Sequence, residues 1–232
     1  MLFRRFICIV VCLSSLGAPF AAAKWEEQMA RFAAADRAAP SPEGSVLFIG
    51  SSSIRRWQTL AKDFPQHAVI NRGFGGSEIS DSIKHFDVLV RPHRPRLIVF
   101  YAGSNDLARG KTPEQVAGDF ATFCEKVHAL LPQTRVLFLS IVAAPKRLKV
   151  REQIAAANQA IAEICAADPR REFLDVNAVL VGEDGTPRGD FFAKDKLHLS
   201  SAGYGEWVRT LGPRWAIEPM AATADAKAAT TD

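Results

Sequence analysis

VLFIGSSSI, residues 46–54, joins an uninterrupted apolar run to a glycine and three serines. An apolar run without polar alternation predicts a strand that is covered on both faces, as in a parallel sheet. Four further runs of this kind follow along the chain, at residues 68–70, 97–101, 136–139 and 173–176. The sequence therefore predicts a five-stranded, mostly parallel sheet.

Amphipathic helical patterns separate these runs, with apolar residues at intervals of three and four. The patterns lie at residues 79–90, 116–131, 150–167 and 201–215. The second helix has a clear start, because Thr112 can cap it, Pro113 suits the first helical position and Gln115 completes a capping box. Strands that alternate with helices predict an α/β fold of the doubly wound, flavodoxin-like kind, with helices on both faces of the sheet in three layers.

The first 23 residues have the three-part pattern of a secretory signal peptide. Two arginines precede an apolar stretch, which is followed by small residues ending at Ala23. The apolar stretch is shorter than the roughly 20 residues of a membrane span, so a cleaved leader is favoured over a retained anchor. We therefore expect cleavage after Ala23, a secreted or periplasmic protein, and no stable membrane insertion afterwards.

The rest of the chain divides into three parts. Residues 24–43 are predicted to form a helix, at 24–38, and a linker that packs on the domain. Residues 44–217 form one α/β domain. Residues 218–232 are rich in alanine, threonine and aspartate without apolar periodicity, which predicts a disordered tail.

Composition and charge exclude few functions. The 232 residues are 48% hydrophobic and 23% charged, as in an ordinary globular protein. A net charge of +4 without runs of like charge predicts no nucleic-acid surface. Removal of the leader leaves Cys124 and Cys165, which are interpreted as buried free thiols in preference to a disulfide. No cysteine or histidine spacing indicates a metal site.

Polar residues follow the strands at their carboxyl ends, where ligands bind in open α/β sheets. The three serines follow the first strand, and a serine needs a base before it can act as a nucleophile. His198 is the one histidine with a carboxylate, that of Asp195, three positions earlier. This spacing lets the carboxylate hold one ring nitrogen while the other acts as the base.

Donors for a developing oxyanion are present at the same edge of the predicted sheet. Gly76 can offer a backbone N–H, Asn105 a side-chain amide and Ser52 its own backbone N–H. Together with the base and its carboxylate, these groups are what an acyl-transfer reaction requires.

Four blocks of the sequence together resemble those of the SGNH hydrolases, also called GDSL esterases and lipases. The blocks are G-x-S at residues 50–52, N-x-x-x-x-G at 71–76, G-x-N-D at 103–106 and D-x-x-H at 195–198. The resemblance implies that Ser52 is the nucleophile, that Ser52, Gly76 and Asn105 form the oxyanion hole, and that Asp195 and His198 complete the triad. It implies a serine ester hydrolase that needs no cofactor and acts on a small-molecule, lipid or carbohydrate ester.

The chain departs from the family pattern at two positions. Ser51 stands where the family usually has aspartate before the nucleophile, and Ser77 stands where aspartate often follows the glycine of the second block. Because three serines are consecutive, Ser51 and Ser53 are rival nucleophiles, although the register from Gly50 favours Ser52. Two other functions stay open. The first is an enzyme that acts on a glycan, either by transferring an acyl group to it or by removing an acetyl group from it. The second is a catalytically silent binding module.

Several further residues have structural interpretations beside functional ones. The loop at residues 143–147 is the candidate for substrate contact, and Phe191 and Phe192 either line a pocket or pack under their loop. Asp106 is interpreted as the cap of a following turn. Two remaining groups are interpreted as solvated or structural, namely His67, His85, His93 and His128, and Arg91, Arg94 and Arg96.

Overall fold

The computed structural model describes residues 25–182 and 184–216. The predicted leader and the predicted tail both lie outside these residues. Five strands form one parallel sheet in the order β2-β1-β3-β4-β5. The strands are β1 (Val46–Gly50), β2 (Val69–Gly73), β3 (Leu97–Tyr101), β4 (Arg135–Leu139) and β5 (Arg171–Leu174). This order puts the switch in connection direction between β1 and β3, where a ligand crevice forms beyond the carboxyl ends.

The helices of the described residues connect and cover these strands. They are α1 (Glu26–Ala38), α2 (Ser52–Arg56), α3 (Leu60–Asp63), α4 (Ile79–Lys84), α5 (Phe86–Leu89), α6 (Ser104–Ala108), α7 (Pro113–Leu130), α8 (Arg151–Ala166) and α9 (Ser201–Leu211). Short 3₁₀ helices lie at Pro145–Val150, Gly189–Phe191 and Gly212–Ala216. Among the described residues, no helix combines the length and the apolar character needed to cross a membrane.

The sheet is buried on both faces. Leu47 and Ile49 of β1 belong to one core cluster, whereas Val46 and Phe48 belong to the other, because successive strand residues point to opposite faces. Residues of α1, α4, α5, α6, α7 and α8 complete the first cluster, and residues of α2, α3 and α9 complete the second. The predicted three-layer, doubly wound fold is therefore confirmed.

The two edge strands differ from their predicted positions. β2 runs on through Asn71 and Arg72 to Gly73, residues that were predicted to follow the strand, and β5 begins two residues before its predicted start and ends at Leu174. Most residues of β2 and β5 are only partly buried, so polar side chains are tolerated there. The Asn71 side chain also forms hydrogen bonds with the backbone of its neighbours. It accepts from Gly73 N–H at 2.9 Å and donates to the Ile54 carbonyl at 2.7 Å.

Helix boundaries were predicted with mixed success. The capping box of α7 is confirmed, because Thr112 Oγ1 accepts from Gln115 N–H and the Gln115 side chain accepts from Thr112 N–H. The pattern at residues 79–90 is two helices, since His85 leaves the helical path at φ −96° and ψ 17°. The last predicted helix ends at Leu211 and continues as a 3₁₀ turn through Gly212–Ala216, which contains Pro213.

The interpretation of the two cysteines is confirmed. Cys124 in α7 and Cys165 in α8 are buried free thiols. Burial raises the pKa of each thiol to about 12, so both stay protonated near neutral pH.

Candidate active site

The turn after β1 brings the three serines to the carboxyl edge of the sheet. Gly50 has φ +147°, and a Cβ at this position would lie 1.9 Å from the Tyr101 carbonyl oxygen. That oxygen accepts a hydrogen bond from Ser51 N–H at 3.0 Å. Only glycine fits such a close approach to β3, and the chain then turns directly into α2 at Ser52.

A chain of hydrogen bonds joins Ser52, His198 and Asp195. Ser52 Oγ lies 2.7 Å from His198 Nε2, and His198 Nδ1 lies 2.6 Å from Asp195 Oδ2. A carboxylate can only accept, so Nδ1 carries a proton and, in the neutral ring, Nε2 is free to accept the serine proton. The structure thus brings together three of the residues predicted from the sequence.

The Asp195 carboxylate is held by the loop that also carries His198. Asp195 Oδ1 accepts from the backbone N–H groups of His198 at 3.0 Å and Leu197 at 3.1 Å. These hydrogen bonds, with that from the His198 side chain, keep the pKa of Asp195 well below its ordinary value. The half-exposed Arg56 also donates to Asp195 Oδ2, at 3.0 Å. No feature of the sequence indicated this contact, because 139 positions separate the two residues.

The rival serines have different surroundings from Ser52. Ser51 and Ser53 are both buried, whereas Ser52 is partly exposed. The backbone of Ser53 is held by Tyr204, whose Oη donates to the Ser53 carbonyl at 2.8 Å. Of the three hydroxyls, that of Ser52 makes the hydrogen bond to His198.

Asn105 is held by contacts with two other loops. Its Nδ2 donates to the Ser77 carbonyl at 3.0 Å, which leaves the second amide N–H. Its Oδ1 accepts from Arg147 Nη2 at 3.2 Å, and Arg147 Nε donates to Ser104 Oγ at 3.0 Å. Arg147 belongs to the loop predicted to contact substrate, but its contact with Asn105 carried no sequence signal.

A small cavity of about 20 Å³ opens beside Ser52. Its lining residues are Ser51, Ser52, Ser53, Tyr101, Ser104, Asn105, Val142, Ala144, Leu197 and His198. Gly76 is not one of them. It lies on the neighbouring loop at φ +76°, and its carbonyl accepts from Arg109 Nη2 at 3.0 Å. The structure therefore brings Ser52, Asn105 and His198 to one cavity, and Gly76 lies directly before Ser77, whose carbonyl accepts from Asn105.

Asp106 links the loops that carry Gly76 and Asn105. Its buried carboxylate accepts from the backbone N–H of Ile79, at the start of α4, and from Lys111 Nζ at 3.0 Å. Burial raises the pKa of Asp106, an effect that the Lys111 ammonium opposes. The interpretation of Asp106 as the cap of a following turn was wrong, because the backbone N–H that its carboxylate accepts from, that of Ile79, lies 27 positions earlier.

The remaining candidates have structural surroundings. Phe191 and Phe192 are buried in the second core cluster and so pack under their loop. His67, His85, His93 and His128 do not line the cavity beside Ser52. Arg91, Arg94 and Arg96 precede β3 at the opposite edge of the sheet. In the part of the chain that the structure describes, no group of three or more His, Cys, Asp or Glu side chains could hold a metal ion.

Comparison with known proteins identifies the family. The sequence model of the GDSL-like lipase/acylhydrolase family matches residues 45–205, more than half of the chain. The chain belongs to this family. No curated protein sequence matches it. Membership in this GDSL family supports a hydrolase that acts on acyl esters.

Solved structures share the fold of this GDSL family member. A Streptococcus pneumoniae protein has a TM-score of 0.74 at 22% identity, covering 82% of this chain and 92% of that one. A GDSL-like lipase from Bacteroides thetaiotaomicron has a TM-score of 0.68 at 23% identity, covering 80% and 96%. An acetylxylan esterase from Geobacillus stearothermophilus, solved as a catalytic mutant, has a TM-score of 0.61 at 15% identity, covering 78% and 98%. At these identities the likeness is one of fold.

Proposed function

We propose that this protein is a secreted or periplasmic serine esterase whose nucleophile is Ser52. The observation that carries the proposal is the unbroken chain of hydrogen bonds from Ser52 Oγ through the His198 ring to Asp195. In the proposed reaction, His198 Nε2 takes the proton of Ser52 as Oγ attacks the ester carbonyl. His198 then gives that proton to the alcohol leaving group, and water hydrolyses the acyl-enzyme by the same route.

The negative charge that develops on the carbonyl oxygen needs donors already in place. We assign these donors to the backbone N–H of Ser52, the free amide N–H of Asn105 and the backbone N–H of Gly76. Asn105 supports the assignment because it lines the cavity beside Ser52. Gly76 lies directly before Ser77, whose carbonyl accepts from the Asn105 side chain, so its loop is beside the Asn105 donor.

The size of the cavity supports a short acyl group as the substrate moiety. A volume of about 20 Å³ holds roughly one water molecule, so the free protein has no enclosed space beside Ser52 for a long acyl chain. The lining contributes the methyl groups of Val142 and Ala144 together with polar groups. We expect faster turnover of p-nitrophenyl acetate than of long-chain p-nitrophenyl esters.

The nucleophile is tested by replacing each serine in turn. Ser52→Ala should lower kcat for p-nitrophenyl acetate by at least about a thousandfold, because the other triad members contribute little without the nucleophile. Ser51→Ala and Ser53→Ala, the matched controls, should keep most of the activity. A fluorophosphonate probe should label Ser52 in the parent protein. Loss of activity in Ser53→Ala with retention in Ser52→Ala would contradict the assignment, and loss of activity in EDTA would favour a metal hydrolase.

Secretion is proposed from the leader pattern and is tested at the amino terminus. The protein produced with residues 1–23 should be exported and should begin at Lys24, as measured by intact-mass spectrometry of the exported fraction. An exported protein that keeps Met1 would contradict cleavage and would favour an anchor.

A further inference from the structure

The segment between β4 and α8 has an unusual composition. Residues 144–151 read APKRLKVR, which places four cations within eight residues without an acid. Most of this segment is the 3₁₀ helix Pro145–Val150. Lys146, Lys149 and Arg151 have exposed side chains, whereas Arg147 is partly buried against Ser104 and Asn105.

This segment lies at the mouth of the candidate active site. Ala144 lines the cavity beside Ser52, and Lys146 N–H donates to the Lys196 carbonyl at 2.9 Å. That hydrogen bond joins the segment to the loop before His198, and Lys194 and Lys196 of this loop are also exposed. We call the five exposed cations the basic rim: Lys146, Lys149, Arg151, Lys194 and Lys196.

Acidic side chains do little to neutralise the lysines of the basic rim. Asp195 lies within the rim, but its carboxylate is already bonded to His198 and Arg56. The other acids near the rim lie beside Arg151, because Glu152, Asp175 and Asp184 line one pocket with it. The four lysines therefore present an excess of positive charge to solvent at the mouth of the site.

An exposed leucine lies in the middle of the basic segment. Leu148 is 41% exposed and is one of the two large hydrophobic side chains that are exposed in the described part of the chain. The other is Leu130, at the carboxyl-terminal end of α7 and just before β4 begins, at the opposite edge of the sheet. Exposed apolar side chains flanked by Lys and Arg are typical of segments that enter the interface of an anionic membrane.

We propose that the basic rim and Leu148 bind the surface of an anionic phospholipid membrane. The cations contact lipid headgroups and Leu148 enters the boundary between headgroups and acyl chains. Binding in this orientation turns the cavity beside Ser52 toward the lipid surface, where the site meets esters that carry a short acyl group. This last role rests on the proposed esterase function, whereas the binding itself does not require turnover.

The charge pattern alone would also fit an acidic polysaccharide, and Leu148 favours the membrane. A polysaccharide gains nothing from an exposed leucine between lysines, whereas a lipid interface buries it. Each cation near an anionic membrane surface strengthens binding about fivefold, and the effect is screened by salt over about 10 Å at 0.1 M. The four lysines of the rim and one partly inserted leucine therefore give reversible, salt-sensitive binding.

The test measures co-sedimentation of the mature Ser52→Ala protein with lipid vesicles. Vesicles of phosphatidylcholine with a quarter of phosphatidylglycerol should bind the protein at least about tenfold more tightly than phosphatidylcholine alone. Because Ser52→Ala is used, the result stands whether or not the protein is an esterase. Equal binding to both kinds of vesicle, or binding to neither, would overturn the proposal.

Matched variants show which surface binds. Lys146→Glu/Lys149→Glu should weaken vesicle binding at least about tenfold, and Leu148→Ser should weaken it several-fold. The controls Arg91→Glu/Arg94→Glu and Leu130→Ser carry the same changes at the opposite edge of the sheet and should bind like the parent. Thermal unfolding shows that each variant is folded. If Leu148→Ser binds like the parent while the charge reversal abolishes binding, the surface binds polyanions in general and the membrane proposal is wrong.

Discussion

Arg147 and the Ser77 carbonyl together fix which way the Asn105 amide faces. The Arg147 guanidinium donates to Asn105 Oδ1, and this leaves Nδ2 to donate to Ser77 and to the proposed oxyanion. An unrestrained amide could rotate and present its oxygen instead, which would repel a developing negative charge. Arg147 is therefore a positioning residue in the proposed mechanism.

Removal of this contact should affect kcat more than KM. We expect Arg147→Met to lower kcat about tenfold, less than the hundredfold or more of Asn105→Ala, because the donor itself remains. Arg147→Lys keeps a cation and should recover part of the loss. In the Asn105→Ala background Arg147→Met should have little further effect, since two residues that act through one contact are not additive. Additive losses in steady-state kinetics would show that Arg147 acts elsewhere.

At the scale of single residues, the sequence predicted contacts that are local or that follow from strand order. Asp195 and His198 are three positions apart, so one loop fixes their geometry, and Ser52 follows the interior strand β1. Arg147 and Asn105 are 42 positions apart and meet only because the segments after β3 and β4 lie side by side. Neither segment has a sequence pattern that predicts this contact.

Two glycines in α9 show how this helix is fitted against the loop that carries His198. A Cβ at Gly203 would lie 2.3 Å from the Phe191 carbonyl oxygen, whereas a Cβ at Gly205 would meet nothing within 4 Å. The Phe191 carbonyl accepts from Ser200 N–H at 2.9 Å, and the Ser200 side chain caps α9 by accepting from Gly203 N–H. Gly203 thus allows the close contact that anchors the loop.

The same substitution at these two positions should have opposite effects. Gly205→Ala should raise the free energy of unfolding by about 0.5–1 kcal/mol, because alanine is the better helix former. Gly203→Ala should lower it by about 1–3 kcal/mol, because the methyl group displaces the Phe191 backbone. Denaturant titration of both variants checks this pair. Stabilisation of both would mean that α9 does not pack closely on Phe191.

At the scale of elements, prediction succeeded in the centre of the fold and failed at its margins. β1 and β3 are buried on both faces, so an uninterrupted apolar run marks them within a residue. β2 and β5 lie at the edges, where residues such as Asn71 and Arg171 join the ladder without apolar side chains. The apolar pattern also gives no sign of the break in the helix at His85, because Ile79, Ile83 and Phe86 keep helical spacing across it.

Across the whole molecule, a buried polar cluster ties the amino-terminal helix to the domain. Asp36 of α1 forms an ion pair with Arg72 of β2 and lies 3.7 Å from His93 Nε2. On its other side, the His93 ring accepts or donates at Nδ1, which lies 2.8 Å from Ser41 Oγ in the linker. The chain before β1 is thereby held to two separate parts of the domain.

His93 makes this attachment sensitive to acid. Burial, with the nearby Arg72 guanidinium, lowers the pKa of His93 from 6.5 to about 4, so the folded protein keeps the ring neutral. In the unfolded chain the ring takes up a proton near its ordinary pKa. Between pH 6.5 and about 4 the unfolded state therefore binds more protons, and stability falls as the pH falls. A shift of this size corresponds to about 3 kcal/mol at most.

Replacing His93 with a residue that does not titrate should reduce this acid sensitivity. His93→Asn keeps a polar group for Ser41 and should be less stable than the parent near pH 7, because the smaller side chain leaves space. Its free energy of unfolding should nevertheless fall less between pH 7 and about pH 4.5 than that of the parent. The control His67→Asn changes a more exposed histidine and should follow the parent more closely. If His93→Asn lost as much stability as the parent over this interval, as measured by urea titration, the acid response would have to arise in the carboxylates instead of this cluster.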